Sequence, residues 1–344
     1  MSIIHKPKHL PVFHHIAKNA GTYTLSWMQM LCRRYHILRG DNVPQQGWTA
    51  SRIRRCLIEL SEGNQLTVVY YTPTDLSGDP CWVIKNSNCT NPDGSLDGHK
   101  LAQAQIDFVN QRFPSEDGST NHIPLDLFIE FVKNKEIEPF SISVDPMHWG
   151  GIKQLNSFGW LSAEEAINKI IQTCEIEKAI NFTLLRDPYE RAASLFYYLK
   201  SEDSSHEPNH NCLESENFKE FLLSDELEDS WFLRNLIGLN WNKKIQQEHF
   251  DLACSKYLQH FAISDISGVD NLIDSVFYDS YGIRQTDVED RVVQANISKN
   301  STTKKIKIPF CGIDSTTQQK FLDRTYWDRK LWERYCKNAN ITQT

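Results

Sequence analysis

The sequence predicts an α/β domain in which a parallel sheet is wrapped by helices. Three observations carry this reading. Runs of β-branched and aromatic residues alternate with amphipathic helical patterns along the 344-residue chain. Two segments, "PVFHHIAKNAGTYTLSW" and "KAINFTLLRDPYERAASLFYYLK", pass from a strand-like run through a tight turn directly into a helical pattern. The composition, 40% hydrophobic and 24% charged, supplies enough apolar material for a sizeable core.

The elements follow in order. Residues 11–16 read as a short strand, and 22–35 as a helix with Leu25, Met28, Cys32 and Tyr35 near helical spacing. "SRIRRCLIEL" reads as a second helix and "QLTVVYYT" as a strand. Residues 73–119 are rich in Gly, Pro, Asn, Asp and Ser and read as a loop-rich insertion, with a helix near 102–112. "PLDLFIEFVKN" is helical, and "FSISVDPMHWG" is a strand ending in a turn. "SAEEAINKIIQTC" is an amphipathic helix, with Ser162 as its N-cap. After the second strand–turn–helix unit, 200–216 form a polar loop. The remainder reads as mostly helical, including one long pattern, "DSTTQQKFLDRTYWDRKLWERYCKN". With no internal repeat, the expectation is a single domain over 1–344.

Charge and cysteine usage narrow the function. The net charge is -7, which disfavours a general nucleic-acid binder. Basic stretches such as Arg33-Arg34, Arg52 to Arg55 and Lys299 to Lys307 read as solvated faces. Nine cysteines are scattered without a CxxC pair, so neither a zinc ribbon nor a thioredoxin-type site is supported. No metal-ligand cluster is visible, and no metal is expected. No stretch is apolar enough for a signal peptide or a membrane span. Free thiols fit a cytoplasmic protein, with a lumenal domain of a secretory-pathway enzyme as the alternative.

The first unit reads as an anion cradle. A strand turning straight into a helix presents free backbone N–H groups and the positive end of the helix dipole. Ala20 and Gly21 let the backbone approach an anion, Thr22 offers a hydroxyl, and Lys18 a mobile charge. The spacing is not that of a Walker-type loop, because Lys18 precedes Gly21. The second unit places Arg186 at the end of a buried strand. Asp187 is an N-cap, Pro188 fits the first helical position, and Glu190 falls at the capping-box position. Ser194 lies two turns along the same helix. Ligands of open α/β sheets bind beyond the carboxyl ends of the strands, so Lys18 and Arg186 are expected to share a crevice. On the plainer reading, Arg186 makes a structural salt bridge, and Arg191 and Ser194 lie on an exposed helical face.

Together the two units carry a resemblance. "HHIAKNAGTYTL" resembles the 5'-phosphosulfate loop of sulfotransferases, commonly H-I-P-K-T-G-G-T-S-L in the Golgi and bacterial branches. "TLLRDPYERAAS" resembles their 3'-phosphate motif, T-L-L-R-D-P-x-E-R-x-x-S. Near the C-terminus, "NLIDSVFYDSYG", "NISKN" and "YWDRKLWERY" are similar to the closing segment of that family, with its N-x-S and D-x-x-L-[YW]-E elements. Ala17, Asn19 and Ala20 depart from the usual proline, threonine and first glycine of the loop.

The resemblance implies a P-loop-kinase-like central parallel sheet with helical C-terminal elaboration. It implies 3'-phosphoadenosine 5'-phosphosulfate (PAPS) as donor and 3',5'-ADP as product. Lys18 would stabilise the bridging oxygen, and Asn19, Ala20, Gly21, Thr22 and Tyr23 would cradle the 5'-phosphate. Arg186 and Ser194 would hold the 3'-phosphate. Carbohydrate branches of the family use a histidine between the two motifs as general base, which points to His148, with His15 as competitor and Asp145 and His122 behind. His15 is equally compatible with a core position. The implied acceptor is a hydroxyl-bearing glycan, with a protein tyrosine or small alcohol as alternatives, and no nucleic-acid partner. Two readings from other classes use the same fold: an ATP-dependent kinase and a non-catalytic nucleotide-binding protein.

Overall fold

The computed structural model describes residues 7–16, 19–41, 43, 53–60, 64–73, 124–146, 160–200, 214–227, 229–239, 243–288 and 308–337. Lys18, His148, His122 and the helix expected near 102–112 lie outside the described residues, as does all of the 73–119 insertion except Pro73.

A six-stranded sheet runs through the centre in the order β2-β3-β4-β1-β5-β6. Its strands are β1 (His9–His14), β2 (Ile53–Glu59), β3 (Asn64–Tyr71), β4 (Glu138–Pro146), β5 (Lys178–Leu185) and β6 (Phe261–Asp265). β4, β1, β5 and β6 are mutually parallel, while β3 pairs antiparallel with both β4 and β2. Both faces are covered, which is why β1 reads as a near-continuous apolar run. Leu10 and Val12 enter one core, and Phe13 enters the other.

One face carries α1 (Gly21–Arg39) and α8 (Val269–Tyr281), packed through Met28, Leu31, Phe277 and Tyr281 against Phe13 and Phe182. The opposite face carries α2 (Leu125–Lys133), α3 (Trp160–Thr173), α6 (Trp231–Ile237) and α7 (Gln247–Leu252). A smaller aromatic cluster, with Phe196, Phe221 and Phe321, joins α4 (Pro188–Leu199), α5 (Phe218–Leu223) and α9 (Ser315–Arg324). α10 (Tyr326–Trp332) returns Leu331 to the main core.

Four expectations are corrected. "SRIRRCLIEL" is not a helix but the edge strand β2, paired antiparallel with β3 from Ile53↔Tyr71 to Glu59↔Gln65. Its buried residues, Cys56 and Ile58, alternate with the period of a strand, and a run this short fits either period until a partner is present. β6 interrupts the C-terminal region that reads as helical, because five residues gain a parallel partner in β5. The long C-terminal helical pattern breaks at Thr325, which ends α9 and begins α10 at φ -96° and ψ 12°. Ser162 is inside α3, which starts at Trp160, so it is not the N-cap.

Candidate functional site

β1 and β5 are adjacent and parallel, with His14 opposite Thr183. The turns that follow them therefore leave the sheet at the same edge. Two side chains lock the corners together. Thr183 Oγ1 donates to the His14 carbonyl at 2.7 Å, and Asn19 Nδ2 donates to the Leu184 carbonyl at 2.8 Å. Beyond the strand ends lies a narrow cavity lined by Ile16 and Asn19 from the first turn, Arg186 and Arg191 from the second, and Asp328 and Trp332 from α10. Its enclosed part is about 20 Å³, the size of one water.

The first turn is built for close backbone approach. Ala20 takes the left-handed conformation, φ 57° and ψ 28°, which costs a residue with a Cβ about 1–2 kcal/mol. The Asn19 amide closes the turn on the Ile16 carbonyl at 3.0 Å. α1 then starts without a side-chain cap and without an acidic residue in its first turn. Its leading N–H groups have no intrahelical acceptors, and its positive end carries no carboxylate of its own. Thr22 is exposed at this end. Tyr23 is committed elsewhere, its hydroxyl donating to Asp270 of α8 at 2.6 Å. Asn19 is 2% exposed, and its Oδ1 has no partner among the described residues.

At the second turn the expected capping holds in part. Asp187 accepts from the Tyr189 and Glu190 amides, and Pro188 fills the first helical position. Burial raises the Asp187 pKa, opposed by those two amides. Glu190 does not complete a capping box but reaches Arg186 Nε at 3.5 Å. Arg191, which on the plainer reading lies on an exposed face, is 8% exposed instead. It lines the cavity beside Asp328, whose pKa rises to about 6 through burial. The Phe232 and Leu233 amides, at 3.1 Å each, and the Arg191 charge oppose that rise. Ser194 is half-buried on α4 and is not among the cavity's lining residues. The first-turn, Arg-Asp-Pro and C-terminal segments thus converge on one cleft. No family model, curated protein or solved structure matches this chain.

The two adjacent histidines divide the work. His14 faces the β6 side of the sheet, 8% exposed, its ring centroid 4.5 Å from that of Phe261. Its Nε2 is 3.2 Å from Asn181 Oδ1, and burial lowers its pKa to about 3. His15 is not the core residue it equally resembled in sequence. Its side chain is 19% exposed, it stacks on Phe13 at 5.7 Å, and its Nδ1 bonds Asp145 Oδ1. Asp145 Oδ2 accepts from Thr67 Oγ1 at 3.3 Å. A Cβ at Gly21 would overlap the His15 ring at Nε2, so only glycine admits the ring beside the start of α1. Sequence reasoning ranked Asp145 low because nothing local signals a pairing 130 residues apart. The only signal was its place at the end of a predicted strand. Among the described residues, no cluster of three or more His, Cys, Asp or Glu is arranged to hold a metal. No described helix is long and apolar enough to cross a membrane.

Proposed function

We propose that the chain is a cytoplasmic sulfotransferase with a P-loop-kinase-like sheet, moving a sulfuryl group from PAPS to an acceptor hydroxyl on a glycan. The observation that carries this reading is the convergence of both turns and α10 on one cleft. A donor with a phosphate at each end of an adenosine needs two anion holders at one sheet edge, and the common edge at which the two turns leave β1 and β5 supports this reading.

In this reading the uncapped start of α1, with the backbone of Ala20 to Thr22, receives the 5'-phosphate. Lys18 of the same turn neutralises charge developing on the leaving oxygen, the usual electrostatic route in such transfers. Arg186 receives the 3'-phosphate, and Ser194, two turns along α4 and outside the cavity's lining, is the second residue assigned to that phosphate. Asn19 acts differently from the threonine it replaces. Its amide is spent on the Leu184 carbonyl, so it fixes the spacing of the two holders and does not donate to the donor. Tyr23, tied to Asp270, is likewise a support for α1.

Differential scanning with 3',5'-ADP and ADP tests the reading. The product nucleotide is expected to raise the melting temperature well above the effect of ADP at equal concentration. Equal stabilisation by the two would remove the 3'-phosphate role of the Arg186 corner.

A further inference from the structure

The His15–Asp145 pair joins the histidine of the first-turn motif to a carboxylate that belongs to neither motif, and it is built beside the donor's expected place. Three features define it. His15 follows β1 and Asp145 lies near the end of the adjacent parallel strand β4, so both emerge at the edge where α1 begins. An ionised carboxylate only accepts, so His15 Nδ1 carries the hydrogen that Asp145 receives, and Thr67 holds the second carboxylate oxygen. That leaves Nε2 as the acceptor nitrogen of the neutral ring, and the bare Cα of Gly21 gives it room at the start of α1. A histidine oriented by a buried carboxylate, with its far nitrogen turned to a reacting group, is the arrangement of a general base.

We propose that His15, oriented by Asp145 and Thr67, is the base that activates the acceptor hydroxyl. This rests on the sulfotransferase reading. His15 Nε2 takes the hydroxyl proton as the acceptor oxygen forms its bond to sulfur. The sulfur–oxygen bond to the 5'-phosphate breaks, and its electron pair departs on 3',5'-ADP. The imidazolium, stabilised by Asp145, then returns its proton to water. His15 is the catalytic residue, and Asp145 and Thr67 are positioning residues. Gly21 is required for clearance.

The experiment has three arms on the full chain. Calorimetric titration with 3',5'-ADP tests the parent reading alone. Nitrogen-15 NMR of histidine-labelled protein reads the tautomer: wild type is expected to show His15 protonated at Nδ1 and bare at Nε2, with that preference lost in Asp145→Asn. Sulfate transfer from labelled PAPS to pooled desulfated glycosaminoglycans, with transfer to water counted as well, reads turnover. His15→Asn is expected to lower kcat at least 100-fold, with KM for PAPS and 3',5'-ADP affinity within about threefold of wild type. Added imidazole is expected to restore part of the rate in His15→Ala, an effect that a structural clasp would not show. Nε2 protonation in wild type overturns the base role, as does undiminished turnover of His15→Asn. If 3',5'-ADP fails to bind while the tautomer is as expected, the sulfotransferase reading falls, and the base role with it.

Discussion

Acidification from pH 7 to 5 is expected to cost this fold about 2–3 kcal/mol, and the histidines that bear the cost are identifiable. His14 and His36 are buried neutral, with folded pKa values of about 3 and about 4 against 6.5 for an unperturbed ring. Desolvation dominates in both. Bonds to Asn181 and Asp41 oppose it without overcoming it. A histidine with a depressed folded pKa binds fewer protons folded than unfolded. Its stabilisation is complete above pH 6.5 and is lost as pH falls toward the folded value. Between pH 7 and 5 that loss is about 2 kcal/mol for each ring.

Asp328 works the other way. Its raised pKa means that the folded state takes up a proton more readily, so it regains about 1 kcal/mol over the same interval. The residue is partly exposed, which trims this share further. The test is urea unfolding at pH 7 and 5 of wild type and His14→Gln, which keeps a hydrogen-bonding group for Asn181 but does not titrate. The pH-dependent loss is expected to shrink by about 2 kcal/mol in the variant. An unchanged loss would show that His14 is not buried neutral and would refute the reasoning.

Three further outcomes follow from the turn geometry. Ala20→Gly relieves a left-handed alanine while loosening the unfolded chain, so it is expected to be neutral or stabilising by up to about 1 kcal/mol in urea unfolding, whereas Ala→Gly inside a helix destabilises. Asn19→Ala leaves the Leu184 carbonyl without its donor, and a stability loss of about 1–3 kcal/mol is expected by the same assay. Gly21→Ala forces the His15 ring aside. Loss of the His15 Nδ1–H signal in NMR is the expected result, and its retention would contradict the packing.

Much of the fold was legible because local chemistry announced it. Asp187 and Pro188 mark the start of α4 by cap and fixed φ, and the β-branched and aromatic run of β3 and the largely apolar end of β5 identify them as strands. The missed elements depend on partners distant in sequence. β2 is a strand because β3 lies beside it, and β6 because β5 does. The same division runs through the site. The two strand-to-helix turns are contiguous in sequence and could be read there. The His15–Asp145 pair and the meeting of Arg191 and Asp328 at one cavity bring together residues from different elements, and no local pattern encodes either. Which of two neighbouring histidines enters the core was set by the side of the sheet that each faces, and a six-residue strand leaves that undecided until its neighbours are in place.

The central claim is that one adenosine donor is held at both ends in a single cleft. It is tested most directly by measuring the affinities of 3',5'-ADP and 5'-AMP for wild type, Lys18→Ala and Arg186→Ala. Lys18→Ala is expected to weaken both ligands. Arg186→Ala is expected to weaken 3',5'-ADP about 10- to 100-fold, the worth of one charge-assisted hydrogen bond, and to leave 5'-AMP unchanged. If Arg186→Ala affects the two ligands equally, or neither, the corners do not grip opposite ends of one molecule.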